Sequence, residues 1–170
     1  MPVHNKLQAK SALLGGVIAG AAGGVAILPY VAITTLIRGQ DLLGAIKFPS
    51  VWLLGERAFW PGFDFATLYV GLGTHFAVSI AWGAAFALLF YGISRALTAL
   101  AGLAWGIVVW LAMFYVVLPV FGLGDAARSM PVVLAMVEHL LYGLVVGLVF
   151  VPFQRELPRG ALRGEEAHPA

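Results

Sequence analysis

Two histidines, one carboxylate and two ladders of small residues carry most of the chemistry this chain offers. Gly71, His75, Ser79 and Gly83 recur every four residues in one apolar segment, and His139, Gly143 and Gly147 do so in another. Residues four apart share a helix face, and small residues mark the face where neighbouring helices approach most closely. Both imidazoles are therefore expected inside a helix bundle. Glu138 precedes the second histidine, about 100° round the helix from it, and lines up with Tyr142 one turn on. An ionisable group at such depth is costly enough to mark a functional site.

The histidines lie nine and eight residues into their segments from the same end, which at ~1.5 Å per residue puts both roughly 12–14 Å deep. Pro29, Tyr30, Tyr115 and Pro119 belong to the same half of their own segments. A proline frees a carbonyl one turn earlier, ready for a buried donor. Three readings compete for this layer. In the first, His75, His139, Glu138, Tyr142 and the freed carbonyls hydrogen-bond one another and set the register of the bundle. In the second, His75 and His139 face each other and ligate a b-type haem or a metal ion, since imidazoles at equal depth on facing helices suit both. In the third, Glu138 and the histidines carry protons or a small solute.

What positions these groups follows from composition. Of 170 residues 61% are hydrophobic and 11% charged, and the mean hydropathy is +0.94. A soluble domain of this length could not hide so much apolar surface, whereas lipid accepts it. The net charge of +2 comes from scattered loop and tail residues, so nucleic-acid binding has no support. There is no cysteine. Disulfides, thiolate-held clusters and covalent c-type haem are excluded, and any cofactor must rest on His, Glu, Tyr or backbone groups.

Long apolar runs predict four transmembrane helices in an up-down bundle, over about 11–37, 66–94, 97–121 and 131–153. The first run extends past Pro29 and Tyr30, longer than a signal-peptide core, and is expected to be retained. The turn at Ser94, Arg95 and Ala96 is so short that the second and third helices should form an antiparallel hairpin. Lys6, Lys10, Arg95, Arg155, Arg159 and Arg163 then share one side, against Arg38, Lys47, Arg57 and Arg128 on the other, which favours cytoplasmic termini. The external loop 38–65 holds Phe48, Trp52, Phe59, Trp60, Phe63 and Phe65. It should lie on the membrane, with a short interfacial or re-entrant helix between Phe48-Pro49-Ser50 and Trp60-Pro61-Gly62, as an aromatic anchor or as a lid. Residues 154–170 carry alternating charges, Pro and Gly and suggest a solvated tail.

Gly16, Gly20 and Gly24 repeat the four-residue spacing in the first helix, Gly102 and Gly106 in the third, and Gly143 and Gly147 in the fourth. Such stripes build tight bundles, because helix association in lipid relies on close packing; the run on the first helix could also serve a homo-oligomer or another membrane subunit. Gly16 precedes Pro29 by thirteen residues, as Gly106 precedes Pro119. Helix pairs one-two and three-four therefore suggest two parallel repeats, aligning Pro29 with Pro119 and His75 with His139.

Enzyme motifs are absent: there is no nucleophile triad, phosphate loop or zincin pattern, and Gly71-Leu72-Gly73 lacks the strand context of a dinucleotide site. At Pro29-Tyr30, Thr74-His75-Phe76, Trp105-Gly106, Pro119, Glu138-His139-Leu140 and Tyr142-Gly143 the chain resembles small bacterial four-helix membrane proteins of the YagU-like kind. The resemblance spans most of 11–153 and implies a bacterial inner-membrane location and four spans, with no established activity or cofactor. The expectation is a non-enzymatic accessory or cofactor-holding subunit of a larger membrane assembly. The alternative is a small oligomeric transporter or proton conduit.

Overall fold

The computed structural model describes residues 2–154, with side chains from residue 10 onward, and contains helices and no strand among the described residues. The helices are α1 Pro2–Ile37, α2 Leu42–Lys47, α3 Val51–Leu54, α4 Phe65–Phe90, α5 Arg95–Ala112, α6 Leu118–Val120, α7 Gly124–Ser129 and α8 Val132–Phe150. A π-helical turn, Met113–Val117, joins α5 to α6 in one continuous rod. Four segments are long and apolar enough to cross a membrane: Lys10–Ile37, Phe65–Phe90, Arg95–Val120 and Val132–Phe153. Their outward faces carry Leu88, Leu100 and Val133, each more than 60% exposed, as suits helices solvated by lipid. The chain is a multi-pass membrane protein built as a helical bundle.

Caps start the spans where the sequence changes character. Asp64 accepts from the backbone N–H groups of Ala66 and Thr67 at the head of α4, and Ser94 accepts from Leu97 N–H at the head of α5. Between them Gly92, at φ +95°, supplies the left-handed turn that lets the chain reverse within four residues.

The stripes of small residues do the packing expected of them, with specific partners. A side chain on Gly20 would place its Cβ 2.5 Å from the Ser79 carbonyl oxygen, and one on Gly83 would meet the Gly20 backbone, so α1 and α4 cross in contact there. Gly16 lies against Ala84 and Ala87 on the same seam, and Gly24 against Ser79 and Phe76. Gly102, Gly106, Gly143 and Gly147 build an equivalent crossing of α5 with α8, where a Cβ on Gly143 would stand 2.6 Å from Gly106 N. α1 also packs along α8, with Gly23 against Tyr142 and Val146, and Gly15 against Phe153. The glycines of α1 are thus engaged within the protomer. Gly71 packs not on a spanning helix but on the Ile46 carbonyl of α2, because the long connection folds back onto α4.

These contacts also set the repeat. A shift of 64 residues carries Ser79 to Gly143, Gly83 to Gly147 and His75 to His139, while a shift of 82 carries Gly20 to Gly102 and Gly24 to Gly106, with matching neighbours at each crossing. Phe86 and Phe150, also 64 apart, meet edge to face at 5.7 Å in the buried centre. The second helices align under the shift of 64 that pairs the histidines, and the first align by their glycines under the shift of 82, which puts Pro29 opposite Leu111 rather than the expected Pro119. The Gly–Pro spacing misled because it paired Gly16 with Gly106, whereas the contacts pair Gly16 with Thr98 and Gly24 with Gly106, two helical turns away.

α4 and α5 form the expected antiparallel hairpin across their tight turn, but they pack side chain to side chain and not backbone to backbone. Trp82 and Trp105 meet edge to face at 5.7 Å between them, with Phe86 and Phe90 packed on Trp105. Aromatic bulk holds the two helices apart. Of the expected tail, Gln154 belongs to the bundle: it is buried, receives Gly92 N–H at 2.8 Å, and donates to Phe90 O and Thr98 Oγ1. The remainder, 155–170, lies outside the described residues.

Candidate functional site

The wedge between α4 and α5 leaves a cleft of about 1090 Å³ in the half of the bundle that carries the long connection. Its walls come from 27–35 of α1, 72–82 of α4, 109–121 of α5, the π turn and α6, and 131–142 of α8. Phe48, Pro49, Trp52, Ala58 and Phe59 of the connection lie over it, together with α7 and its flanks. Trp82 bounds it toward the other half, where Trp105, Phe86, Phe90 and Phe150 fill the space between helices. The cleft is half-open and mostly apolar, of the kind that takes up a small lipophilic molecule.

The predicted polar layer is its wall. His75, His139, Glu138, Tyr30, Tyr142 and Ser79 all line it. They are not wired to one another. Tyr30 donates to Leu134 O at 3.0 Å and Tyr142 to Ser79 O at 2.6 Å, so each phenol ties one helix to the backbone of another. His75 Nε2 donates to Gly24 O at 2.9 Å, across from α4 to α1. Pro29 frees the carbonyl of Val25, not that of Gly24, so the expectation that a proline-freed carbonyl would take the buried donor is not met here. His139 Nδ1 donates to Ala135 O of its own helix at 2.8 Å, and its ring lies edge-on to Phe114 at 5.8 Å. A carbonyl can only accept, so each bonded ring nitrogen carries the proton and the other nitrogen of a neutral ring is left as an acceptor.

Glu138 is the exception in the layer. It sits deep in the molecule yet keeps partial exposure, because what it is exposed to is the cleft. No hydrogen bond or ion pair reaches its carboxylate among the described residues, and its neighbour in charge is the Tyr30 hydroxyl. Its expected partner one turn on, Tyr142, is turned to Ser79 instead.

Two expectations about this layer need correction. Tyr115 is 66% exposed and stacks edge-on against Trp110 at 5.9 Å, outside the cleft. The π turn adds a residue to the helical repeat, so the phase of α5 slips, Phe114 comes to the cleft and Tyr115 turns outward. Nor do the imidazoles bond each other: each donates one ring nitrogen to a backbone carbonyl and keeps the other free, which is also the way a ligating histidine is held. Among the described residues no group of three or more His, Asp or Glu is arranged to hold a metal ion.

The roof is held by groups that spacing alone did not single out. Lys47 is fully buried, and its ammonium donates to the carbonyls of Trp60 and, at 3.0 Å, of Gly62, pinning the two ends of the connection together. Arg57 pairs with Asp64 at 2.7 Å; this hydrogen bond holds the Asp64 carboxyl below its usual range and raises the guanidinium pKa of Arg57. The Trp52 indole donates to Thr74 Oγ1 at 3.2 Å and packs on Phe121 at 5.7 Å. Phe63 and Phe65 remain more than 70% exposed, whereas Phe48, Trp52 and Phe59 of the same connection line the cleft. A lysine before Phe-Pro-Ser carries no sequence signal of burial; the wedge was visible only as two tryptophans on separate helices.

No curated protein and no solved structure matches this chain. Residues 11–158 match the family of unknown function DUF6789, and the chain belongs to that family.

Proposed function

We propose that this protein is a non-enzymatic subunit of a bacterial inner membrane that holds a lipophilic small molecule or cofactor in the cleft, as an accessory member of a larger assembly or as a homo-oligomer. The observation that carries this reading is a half-open, mostly apolar cleft of about 1090 Å³ whose wall gathers Glu138 and both histidines. The conduit alternative is disfavoured, since the aromatic block from Trp82 to Phe150 leaves no polar path toward the other face within the protomer. Cytoplasmic termini are supported by the basic residues near them. On the opposite side Lys47 is buried, Arg57 pairs with Asp64 and Arg128 with Asp125.

The test is to purify the protein from membranes and identify what it retains. Wild type should carry one compound enriched far above bulk lipid, and Val117→Trp, which projects a ring into the cleft, should lose it while staying monodisperse. Equal retention by both, or no enrichment, defeats the reading. For a haem, the same samples should show a Soret band absent from His75→Ala and His139→Ala. Reporter fusions at the tail and near Trp52 should place these on opposite sides, the tail in the cytoplasm.

A further inference from the structure

The free hydrogen-bonding capacity deep in the cleft leans toward acceptors. The donors of Tyr30, Tyr142, Thr34, His75 and His139 are all committed to backbone carbonyls. The indole N–H groups of Trp82 and Trp52 are taken by Met113 Sδ and Thr74 Oγ1. What remains deep in the wall is acceptor: the Glu138 carboxylate, His139 Nε2, His75 Nδ1 and the lone pairs of both phenols. The hydroxyls of Thr35, Thr74 and Ser79 can give or take and so favour neither sense. Uncommitted strong donors, Arg38 and Gln40, lie only at the rim past the end of α1.

We infer that the cleft recognises a lipophilic molecule through a hydrogen-bond-donating head, a hydroxyl or an amine, set against Glu138, with its apolar body lying along α4 and the π turn of α5. A buried carboxylate without a protein donor is costly, and a ligand O–H or N–H supplies what the fold withholds. The same wall repels the opposite chemistry. An anionic head would face Glu138 and the ring lone pairs, and an ether or ketone would leave them unpaired. This inference rests on the reading of the cleft as a ligand site and specifies the ligand class.

The experiment uses the full chain in lipid nanodiscs and four probes of one length: a bromine-tipped dodecanol, its methyl ether, the amine and the carboxylic acid. Bromine quenches indole fluorescence on contact, and Trp52 and Trp82 line the cleft. The alcohol should half-saturate quenching at about tenfold lower concentration than the ether, the difference expected for one hydrogen bond to a charged group. The acid should be weaker than the alcohol. Glu138→Leu should abolish the preference for alcohol, chiefly by letting the ether bind at least as well as it does to wild type, and that retained ether binding reports an intact cleft. An amine advantage over the alcohol that Glu138→Gln removes identifies an ammonium head; equal binding of the two identifies a neutral donor. An ether or acid that binds as well as the alcohol overturns the donor inference, as does a preference that survives Glu138→Leu. Failure of every probe to saturate the quenching overturns the ligand-site reading with it.

Discussion

The contact of α1 with α8 and the contact of α4 with α5 are counterparts under the internal repeat, and they came out opposite. In the first, Gly23 lets the backbone of α1 settle against Tyr142 and Val146. The same shifts carry Gly23 to Trp105 and Val146 to Trp82, so two indoles stand where the first contact has a glycine and a valine. Lipid gives helices no hydrophobic reason to associate, so side-chain size at the crossing decides how close they come. A duplicated scaffold with one closed and one wedged interface is thereby a scaffold with a cleft. The glycine crossings, common to both pairs, hold the rest in place.

The largest effect should come from breaking what the two pairs share. At Gly143 a Cβ would fall on the Gly102 carbonyl and Gly106 backbone, neither of which can rotate aside. Gly143→Leu should cost at least the ~3 kcal/mol at the upper end of ordinary overpacking, read as loss of folded protein in a denaturant titration. Gly73, with open space around its Cβ position, is the control, and Gly73→Leu should be near neutral. Comparable costs at the two positions would mean that close approach is not what holds the pairs.

Next in size is conversion of the wedged interface into the closed one. Trp82→Val with Trp105→Gly copies the α1/α8 residues into α4/α5. Removing a buried tryptophan typically costs about 3–5 kcal/mol when a void remains, and less if helices move in to fill it. Because the chain has no cysteine, thiols introduced at Val78 and Val117 can be spin-labelled without background. Their separation should shrink in the double variant, and probe binding in the cleft should vanish. An unchanged separation would show that something other than the indoles holds the helices apart.

How far the sequence alone reached follows the same division. Spans, stripes and the polar layer were legible, because hydropathy, four-residue spacing and depth along a helix are local properties. His75, His139, Glu138, Tyr30 and Tyr142 do share one wall. Tyr115 was misplaced because a π turn changes helical phase without any residue type announcing it, and Pro119 was misaligned because a glycine stripe repeats every turn and so does not fix which glycine matches which. The wedge was illegible for another reason: Trp82 and Trp105 are unremarkable in their own helices and matter only when facing each other. The direction of each hydrogen bond was equally hidden, since a histidine in a small-residue stripe can reach its own helix, as His139 does, or the next, as His75 does.

That difference between the histidines predicts a smaller effect. His75 ties α4 to α1, so His75→Ala should cost about 1 kcal/mol, the usual net value of such a bond, together with packing loss. His139 bonds only within α8, so His139→Ala should disturb folding less while altering which probes the cleft prefers. Denaturant midpoints and probe binding on both variants separate the roles. Equal losses of stability would remove the asymmetry between the repeats.

The smallest effect distinguishes the two connections. In the longer one Asp64 caps α4 and pairs with Arg57, whereas in the shorter one Asp125 pairs with Arg128 three residues on, at a fully solvated site that caps no spanning helix. Asp64 has its pKa lowered in the folded protein, chiefly by the Arg57 hydrogen bond. It therefore contributes stability that is complete above the unfolded carboxylate pKa of about 3.9 and is lost as pH falls through the lower folded value. Stability should decline over that acid window in wild type, and Arg57→Gln should shift the decline to higher pH by letting Asp64 protonate earlier. Asp125→Asn should leave the profile where it was. Both groups of the Arg57 pair are solvent-exposed and screened by salt, so the shift should be small and should shrink further at high ionic strength. A wild-type profile indifferent to pH through this range would leave the cap at Asp64 without an electrostatic part, and the two connections would then differ in length alone.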